Sequence, residues 1–367
     1  MIKYPDYHHS ILNVSATLLK HYGVFSSYGT ISSLEEALKK NPKHVVYMLL
    51  DGMGTNLLNE HLKPDAFLNL NLVDTITSIF PPTTVAATNA VLSGLAPIST
   101  GYLGWVQYFK KEDTDLAVFM NVDYYHHDRG FDYVLRDQYL KYDTILEQAK
   151  RKQADLMTFE LFPSFRTPGY HAFCDQIDEA LSIMKNYKKT FTYIYWTEPD
   201  LTQHEYGISH DMTKDVLCHL NDEVERLYQN MPERSLVVVI ADHGLTDVSH
   251  IDITENKALM SCLKRKPSIE PRATTFFVKK GFKKQFIEIF NLSYQTEFML
   301  LSKKEFLSSG LLGTGKKHPM LKSFIGDFIA IAIGNAMFDF IPNNQFVSNH
   351  AGLTQDEMEV PLILISK

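Results

Sequence analysis

Three aspartates, three histidines and a pair of threonines are the residues of this chain whose neighbours suggest chemistry. Asp200 and His204 stand four apart in YWTEPDLTQHEYG, which sets a carboxylate and an imidazole on one face of a helical turn, able to grip one metal ion. Asp242 and His243 are adjacent in VVVIADHG, where a bend at Gly244 lets neighbouring side chains converge on one ion. Asp51 ends an apolar run and precedes Gly52, and His350, in SNHAGLTQDEMEVPLI, comes just before the last apolar run. Each signal is weak alone: Asp often caps the helix after a strand, and a loop histidine is ordinary. Thr83 and Thr84 follow Pro81 and Pro82 and open TTVAATNAVLS, which reads as a helix stopped at Gly94. A helix N-terminus attracts anions through its free N–H groups and its dipole, and a hydroxyl there can be a nucleophile or merely a cap.

The segments that must position these residues read as alternating strands and helices. HVVYMLLD (44–51), TFTYIYW (190–196) and SLVVVIAD (235–242) are nearly continuous apolar runs, as strands buried on both faces would be. Between the last two, Val216, Leu220, Val224 and Leu227 recur at helical spacing. YDTILEQAKRKQ leading into ADLMTF, and CDQIDEALSIMKNYKK leading into TFTYIYW, suggest the same unit again. The expected fold class is therefore α/β, a mostly parallel sheet sandwiched by helices. Asp51, Asp200 and Asp242 then stand beyond strand ends on one edge, where open parallel sheets bind ligands. From about Ile251 to Asn344 the strands weaken (TTFFV, FIAIAI), around a Lys-rich helix at GFKKQFIEIF. The core pattern resumes at VPLILI, so the expected division is a core of residues 1–250 and 345–367 with an inserted subdomain of residues 251–344.

Asp51-Gly52 after a strand, FPPTT followed ten residues after Thr84 by Gly94-Leu95-Ala96-Pro97, EPDxxxH, ADHG and the late His350 occur in one order from about residue 44 to the end. That pattern resembles the nucleotide pyrophosphatase/phosphodiesterase (type I phosphodiesterase) family of the alkaline-phosphatase superfamily. The resemblance implies an alkaline-phosphatase-like core and two zinc ions (Zn2+), replaceable by other divalent transition metals. One zinc is implied at Asp200, His204 and His350, the other at Asp51, Asp242, His243 and a nucleophilic Thr84. It further implies hydrolysis of phosphodiester or phosphoanhydride bonds through a phosphothreonine intermediate, beneath a cap formed by the insertion. A metal that lowers the pKa of bound water from about 15.7 to about 7 would promote the threonine alkoxide in the same way. Two Zn2+, three aspartates and neutral imidazoles leave a charge of about +1, suited to a small anionic phosphate ester such as a nucleotide. The chain departs from the family twenty-one residues after Thr84: an asparagine that donates to a phosphoryl oxygen is replaced by Trp105, whose indole N–H can bind substrate or whose ring can pack under the cap. No arginine is near Thr84 in sequence, Arg129 and Arg136 being the first to follow it, which favours a diester over a monoester dianion. Phosphomonoesterase, phosphonate hydrolase and phosphomutase activities of the same superfamily are the alternatives, and a non-catalytic metal-binding protein would need no Thr84.

Composition sets outer bounds. In 367 residues, 45% hydrophobic and 22% charged side chains are enough for a large core, which argues against disorder. Lys and Arg total 36 against 43 Asp and Glu, a formal charge of −7 that argues against a nucleic-acid duplex or an anionic membrane as the main partner. The first residues, MIKYPDYHHSILNVSATLLKHYG, lack a signal-like apolar stretch, and Cys174, Cys218 and Cys262 lack the spacing of a disulfide framework, so the expected location is cytoplasmic. GLLGTGKK (310–317) nearly matches a phosphate-binding loop but has Lys317 where Ser or Thr should meet Mg²⁺, and it is set aside.

Overall fold

A computed structural model describes residues 1–367. The strands of the first part of the chain are β1 (His44–Leu50), β2 (Leu72–Thr77), β3 (Val106–Phe109), β4 (Thr114–Ala117), β5 (Val122–Asp123), β6 (Met157–Leu161), β7 (Thr190–Trp196) and β8 (Ser235–Ile240). The later part adds β9 (Thr246–Asp247), β10 (Ser249–Asp252), β11 (Ser268–Glu270), β12 (Ala273–Phe276), β13 (Phe298–Ser302), β14 (Phe328–Ala332), β15 (Ala336–Asp339), β16 (Ser348–Asn349) and β17 (Glu359–Ser366).

The apolar runs assemble into a six-stranded sheet in the order β2-β17-β8-β1-β7-β6. Its four strands β8, β1, β7 and β6 are parallel, in register from His44 opposite Thr190 and Ser235. Every residue of β1 and β8 is buried, as continuous apolar strands require when helices cover both faces. The C-terminal run enters this sheet as β17, antiparallel to both β8 and β2. The Asp211–Asn230 helix lies across the sheet on Thr213, Leu217, Leu220, Val224 and Leu227. Val216 is only half-buried, because 3.6 residues per turn carries the apolar stripe through Leu217 instead.

A second sheet of seven strands, β13-β14-β12-β11-β3-β4-β5, stands beside the first. It draws both on residues 251–344 and on residues 106–123, which lie far outside that segment in sequence. The only bridge between the two contributions is Ile269 opposite Val106. Phe276, Phe286, Phe290, Phe298 and Phe338 pack beneath it with ring centroids 4.1 to 6.3 Å apart. Full burial of a phenylalanine contributes about 1.5–3 kcal/mol, so this small core supports one face of its sheet, while Phe109, Leu116, Ile269, Ile329 and Ile331 join the larger core.

Candidate active site

The parallel strands deliver the acids to one edge. β1 stops at Leu50, and Asp51 turns in behind it with its backbone N–H on the carbonyl of Trp196 at the end of β7. Gly52 follows at φ +72°, and a Cβ there would stand 2.8 Å from Cα and Cβ of Asp200, so only glycine lets the exits of β1 and β7 approach this closely. β7 leads into the Asp200–Tyr206 helix, whose first turn sets Asp200 Oδ1 3.4 Å from His204 Nε2, as the four-residue spacing predicts. β8 ends in Asp242 and His243, both fully buried. His350 arrives behind β16, its ring stacked on that of His243 at a centroid distance of 3.8 Å.

Two clusters of ligand-type atoms result. Asp200, His204 and His350 form one, and Asp51, Asp200 and His243 form the other, each with its atoms within 4.8 Å of one another. Asp200 therefore faces both. Asp242 stands against the second cluster, its Oδ2 3.4 Å from His243 Nε2 while its Oδ1 accepts the N–H groups of Gly52 and His243. Thr84 Oγ1 completes the group, 3.2 Å from His243 Nε2 and 3.4 Å from Asp51 Oδ1. The seven residues expected around two ions are thus brought together.

These groups fit a metal. Asp200 Oδ1 and Asp242 Oδ2 are buried acceptors with no donor, a costly state that a cation would relieve. The far nitrogens of two imidazoles are held from behind: His204 Nδ1 lies 2.8 Å from the Ser348 carbonyl and His243 Nδ1 3.2 Å from that of Gly244, which leaves each Nε2 free toward the cluster. Burial pushes the histidines down, His204 to about 4, so all three are neutral ligands at neutral pH. The carboxylates go the other way: burial, then the charges of Asp242 and Asp200, raise Asp51 well above the usual range, and burial and then Glu198 push Asp200 up to about 8.

These shifts fix a pH dependence for the metal-free protein. The histidines bind fewer protons folded than unfolded only below their ordinary pKa of about 6.5, where rising pH favours the fold. Above it that term is exhausted, while Asp200, and Glu270 raised by burial to about 7, still bind protons that the unfolded chain has lost. Stability of the metal-free protein is therefore expected to fall between pH 6.5 and 8, by on the order of 1 kcal/mol per pH unit for each such group. Added zinc should flatten the slope; chemical denaturation at pH 6.5, 7.2 and 8 with and without zinc measures both, and a metal-free stability that rises over this window contradicts the expectation.

The structure distinguishes the two threonines. Thr83 is buried and its hydroxyl donates to Glu270 Oε1 at 2.7 Å, whereas Thr84, the first residue of the Thr84–Ser93 helix, is half-buried and faces the clusters. The same Glu270 oxygen accepts the backbone N–H of Trp105 at 2.7 Å, so a carboxylate of β11 ties down both. Trp105 is 37% exposed and meets Phe119 edge-on, with ring centroids 6.0 Å apart.

Residues 150–279 match the model of the family described as type I phosphodiesterase / nucleotide pyrophosphatase. That stretch is similar to the type I phosphodiesterases and nucleotide pyrophosphatases. Solved structures share the fold at low identity. A murine ectonucleotide pyrophosphatase/phosphodiesterase 5 superposes with a TM-score of 0.67 at 15% identity, over 88% of either chain. Its human counterpart gives 0.64 at 14%, again over 88% of either chain. The phosphonoacetate hydrolase of Sinorhizobium meliloti 1021, in complex with phosphonoformate, gives 0.64 at 14% over 89% of this chain and 90% of that one. An inactive threonine-to-alanine form of the murine protein was solved with AMP. No curated protein sequence matches the chain. No helix is long and apolar enough to cross a membrane.

The matched stretch contains Asp200, His204, Asp242 and His243, while Asp51, Thr84 and His350 lie outside it and join the site through the fold. Sequence reading missed Tyr195, whose hydroxyl donates to Asp51 Oδ2, and Glu270. Tyr195 carried no signal, being one aromatic in an apolar strand. Glu270 sits in SIEP, a stretch that looks like surface, and only the antiparallel pairing of β11 with β12 and β3 turns it inward.

Proposed function

We propose that this hydrolase of phosphoric ester or anhydride bonds is a two-zinc phosphodiesterase or nucleotide pyrophosphatase that passes its phosphoryl group through Thr84. The observation that carries the reading is the contrast between the threonines: Thr84 Oγ1 sits among Asp51, His243 and a helix N-terminus, and Thr83 Oγ1 is occupied by Glu270. Asp200, His204 and His350 would hold one zinc, and Asp51, Asp242, His243 and Thr84 the other, Asp200 standing between the two. Bound there, zinc supplies Lewis acidity, lowering the pKa of a coordinated hydroxyl or water and offsetting phosphoryl charge.

Thr84 Oγ forms a bond to phosphorus as the bond from phosphorus to the leaving oxygen breaks, and the proton lost from Oγ is matched by the one the leaving group takes up. The free N–H groups at the start of the Thr84–Ser93 helix bind phosphoryl oxygens meanwhile. In the second half, a water oxygen bonds to phosphorus, the Oγ–phosphorus bond breaks, and Oγ regains a proton. Residues 251–344 act as a cap in this reading, which Glu270 supports by reaching Thr83 from β11. Trp105 borders the substrate from the place where relatives have asparagine. A cytoplasmic setting is proposed on the three free cysteines.

Two measurements test this. Metal analysis after zinc reconstitution is expected to find two ions per chain, and fewer than one tightly bound ion defeats the two-zinc reading. In a matched panel, kcat/KM for bis-p-nitrophenyl phosphate is expected to exceed that for p-nitrophenyl phosphate by at least about tenfold, roughly 1.4 kcal/mol in the transition state. A reversed ratio would make monoester hydrolysis or phosphoryl transfer the better reading, and turnover of phosphonoacetate alone would favour the phosphonate chemistry of the Sinorhizobium relative.

A further inference from the structure

A cavity of about 370 Å³ lies beside the second half of the Thr84–Ser93 helix, lined by Asn89 and Leu92 of that helix and by Arg136, Lys141 and Arg166. At 1.5 Å rise per residue, Asn89 and Leu92 lie about 7–12 Å along the helix from Thr84. Two chains of contact join it to the metal-ligand clusters. Phe119, on its wall, meets Trp105, whose N–H shares Glu270 with Thr83. Phe165, beside Arg166, packs 6.1 Å from Tyr195, which bonds Asp51.

The lining chemistry is cationic in a chain of net charge −7. Arg136, Lys141 and Arg166 stand against only Asp137 and Glu160. The arginines are held but not used up. Arg166 sits over the Phe162 ring at 3.7 Å and touches Glu160 at 3.4 Å; Arg136 lies 5.7 Å over Phe119, reaching its carbonyl at 3.5 Å and Asp137 at 3.7 Å. A guanidinium has five N–H donors, so both retain free donors of the kind that recognises phosphate oxygens. Tyr142, bonded to Asn89 at 2.6 Å, fixes the cavity wall against the helix.

We propose that this cavity is a subsite for a second phosphate group of the substrate, carried about 7–12 Å from the phosphorus that meets Thr84. The inference rests on the reading of Thr84 as phosphoryl acceptor and narrows it: the substrate class is a phosphodiester or anhydride whose non-reacting part bears a further phosphate, such as a nucleoside bisphosphate derivative. A molecule as small as phosphonoacetate cannot span both places.

Calorimetric titration of the zinc-loaded protein with AMP and with adenosine 3′,5′-bisphosphate tests it. The bisphosphate is expected to bind at least about tenfold more tightly, and in the double variant Arg136→Ala/Arg166→Ala the ratio should fall to near one. Lys304→Ala, which removes a charge from a separate lysine-lined cavity, should keep the ratio. Equal affinities in the wild type, or a ratio that survives the double variant, overturns the subsite. Hydrolysis of bis-p-nitrophenyl phosphate on the same samples separates the two claims: a wild type that turns over no diester yet keeps an arginine-dependent ratio rejects the proposed activity and supports the subsite.

Discussion

Thr84→Ala is expected to lower turnover of a phosphodiester by on the order of 10³-fold or more while the protein remains folded and zinc-loaded, because it deletes the proposed covalent acceptor but only one oxygen of the proposed coordinating set. Thr83→Ala provides the comparison. It removes one of the two donors to Glu270 Oε1, the Trp105 backbone N–H remaining, and so should cost about 0.5–1.5 kcal/mol of stability while turnover persists. Steady-state kinetics, zinc content and a melting curve on both variants decide the matter. If Thr83→Ala is inactive and Thr84→Ala active, the acceptor has been misassigned, whatever the family.

The second large effect concerns stability. Arg272 and Glu357 are both fully buried and joined by two bonds of 2.7 and 2.8 Å, and Arg272 also reaches the carbonyls of Ala336 and Gly334. Glu357 accepts the N–H groups of Gly352 and Thr354 through its side chain, and that of Gly244 through its backbone carbonyl. One residue thereby holds the loop behind His350 and the loop behind His243. Removing one partner of a buried pair strands the other charge, so Glu357→Ala should destabilise the protein by about 3–5 kcal/mol. Because the loop behind His350 loses its side-chain anchor while the backbone bond to Gly244 remains, zinc affinity should fall as well. Chemical denaturation and competitive zinc titration measure the two, and a Glu357→Ala protein with wild-type stability would show that the stranded guanidinium finds solvent or another partner.

The sheet edge and the acids along it were legible for a local reason. β1, β8 and β7 are buried on both faces and so read as unbroken apolar runs, and Asp51, Asp242 and Asp200 follow their ends by one, two and four residues. The helix carrying Thr84 was marked by the prolines before it and by Gly94 after it, which takes φ +69° as a helix terminator does. What was hidden depends on contacts between distant segments. Spacing cannot reveal that Asp200 faces both ligand clusters, since it tells which residues share a helix face and nothing about a third strand. Glu270 and Tyr195 each look ordinary until β11 and β7 are placed. Arg136 seemed too far along the chain to matter to Thr84, and Arg166 went unread, yet both line a cavity on the helix that Thr84 begins.

The second sheet is built from two stretches that the ribosome makes far apart in time. Asp123 ends the first and Ser268 begins the second, 145 residues later. At about 5–20 residues per second, β3, β4 and β5 wait on the order of 10–30 s before β11 exists. Throughout that interval the edge of β3 is unpaired, and such an edge recruits other chains. The same interleaving bars residues 251–344 from being exchanged as a cassette: excising them would re-expose that edge permanently and remove Glu270 and Arg272 together. Variation in what this enzyme accepts is therefore easier to reach by point changes along the rim than by transplanting a whole segment.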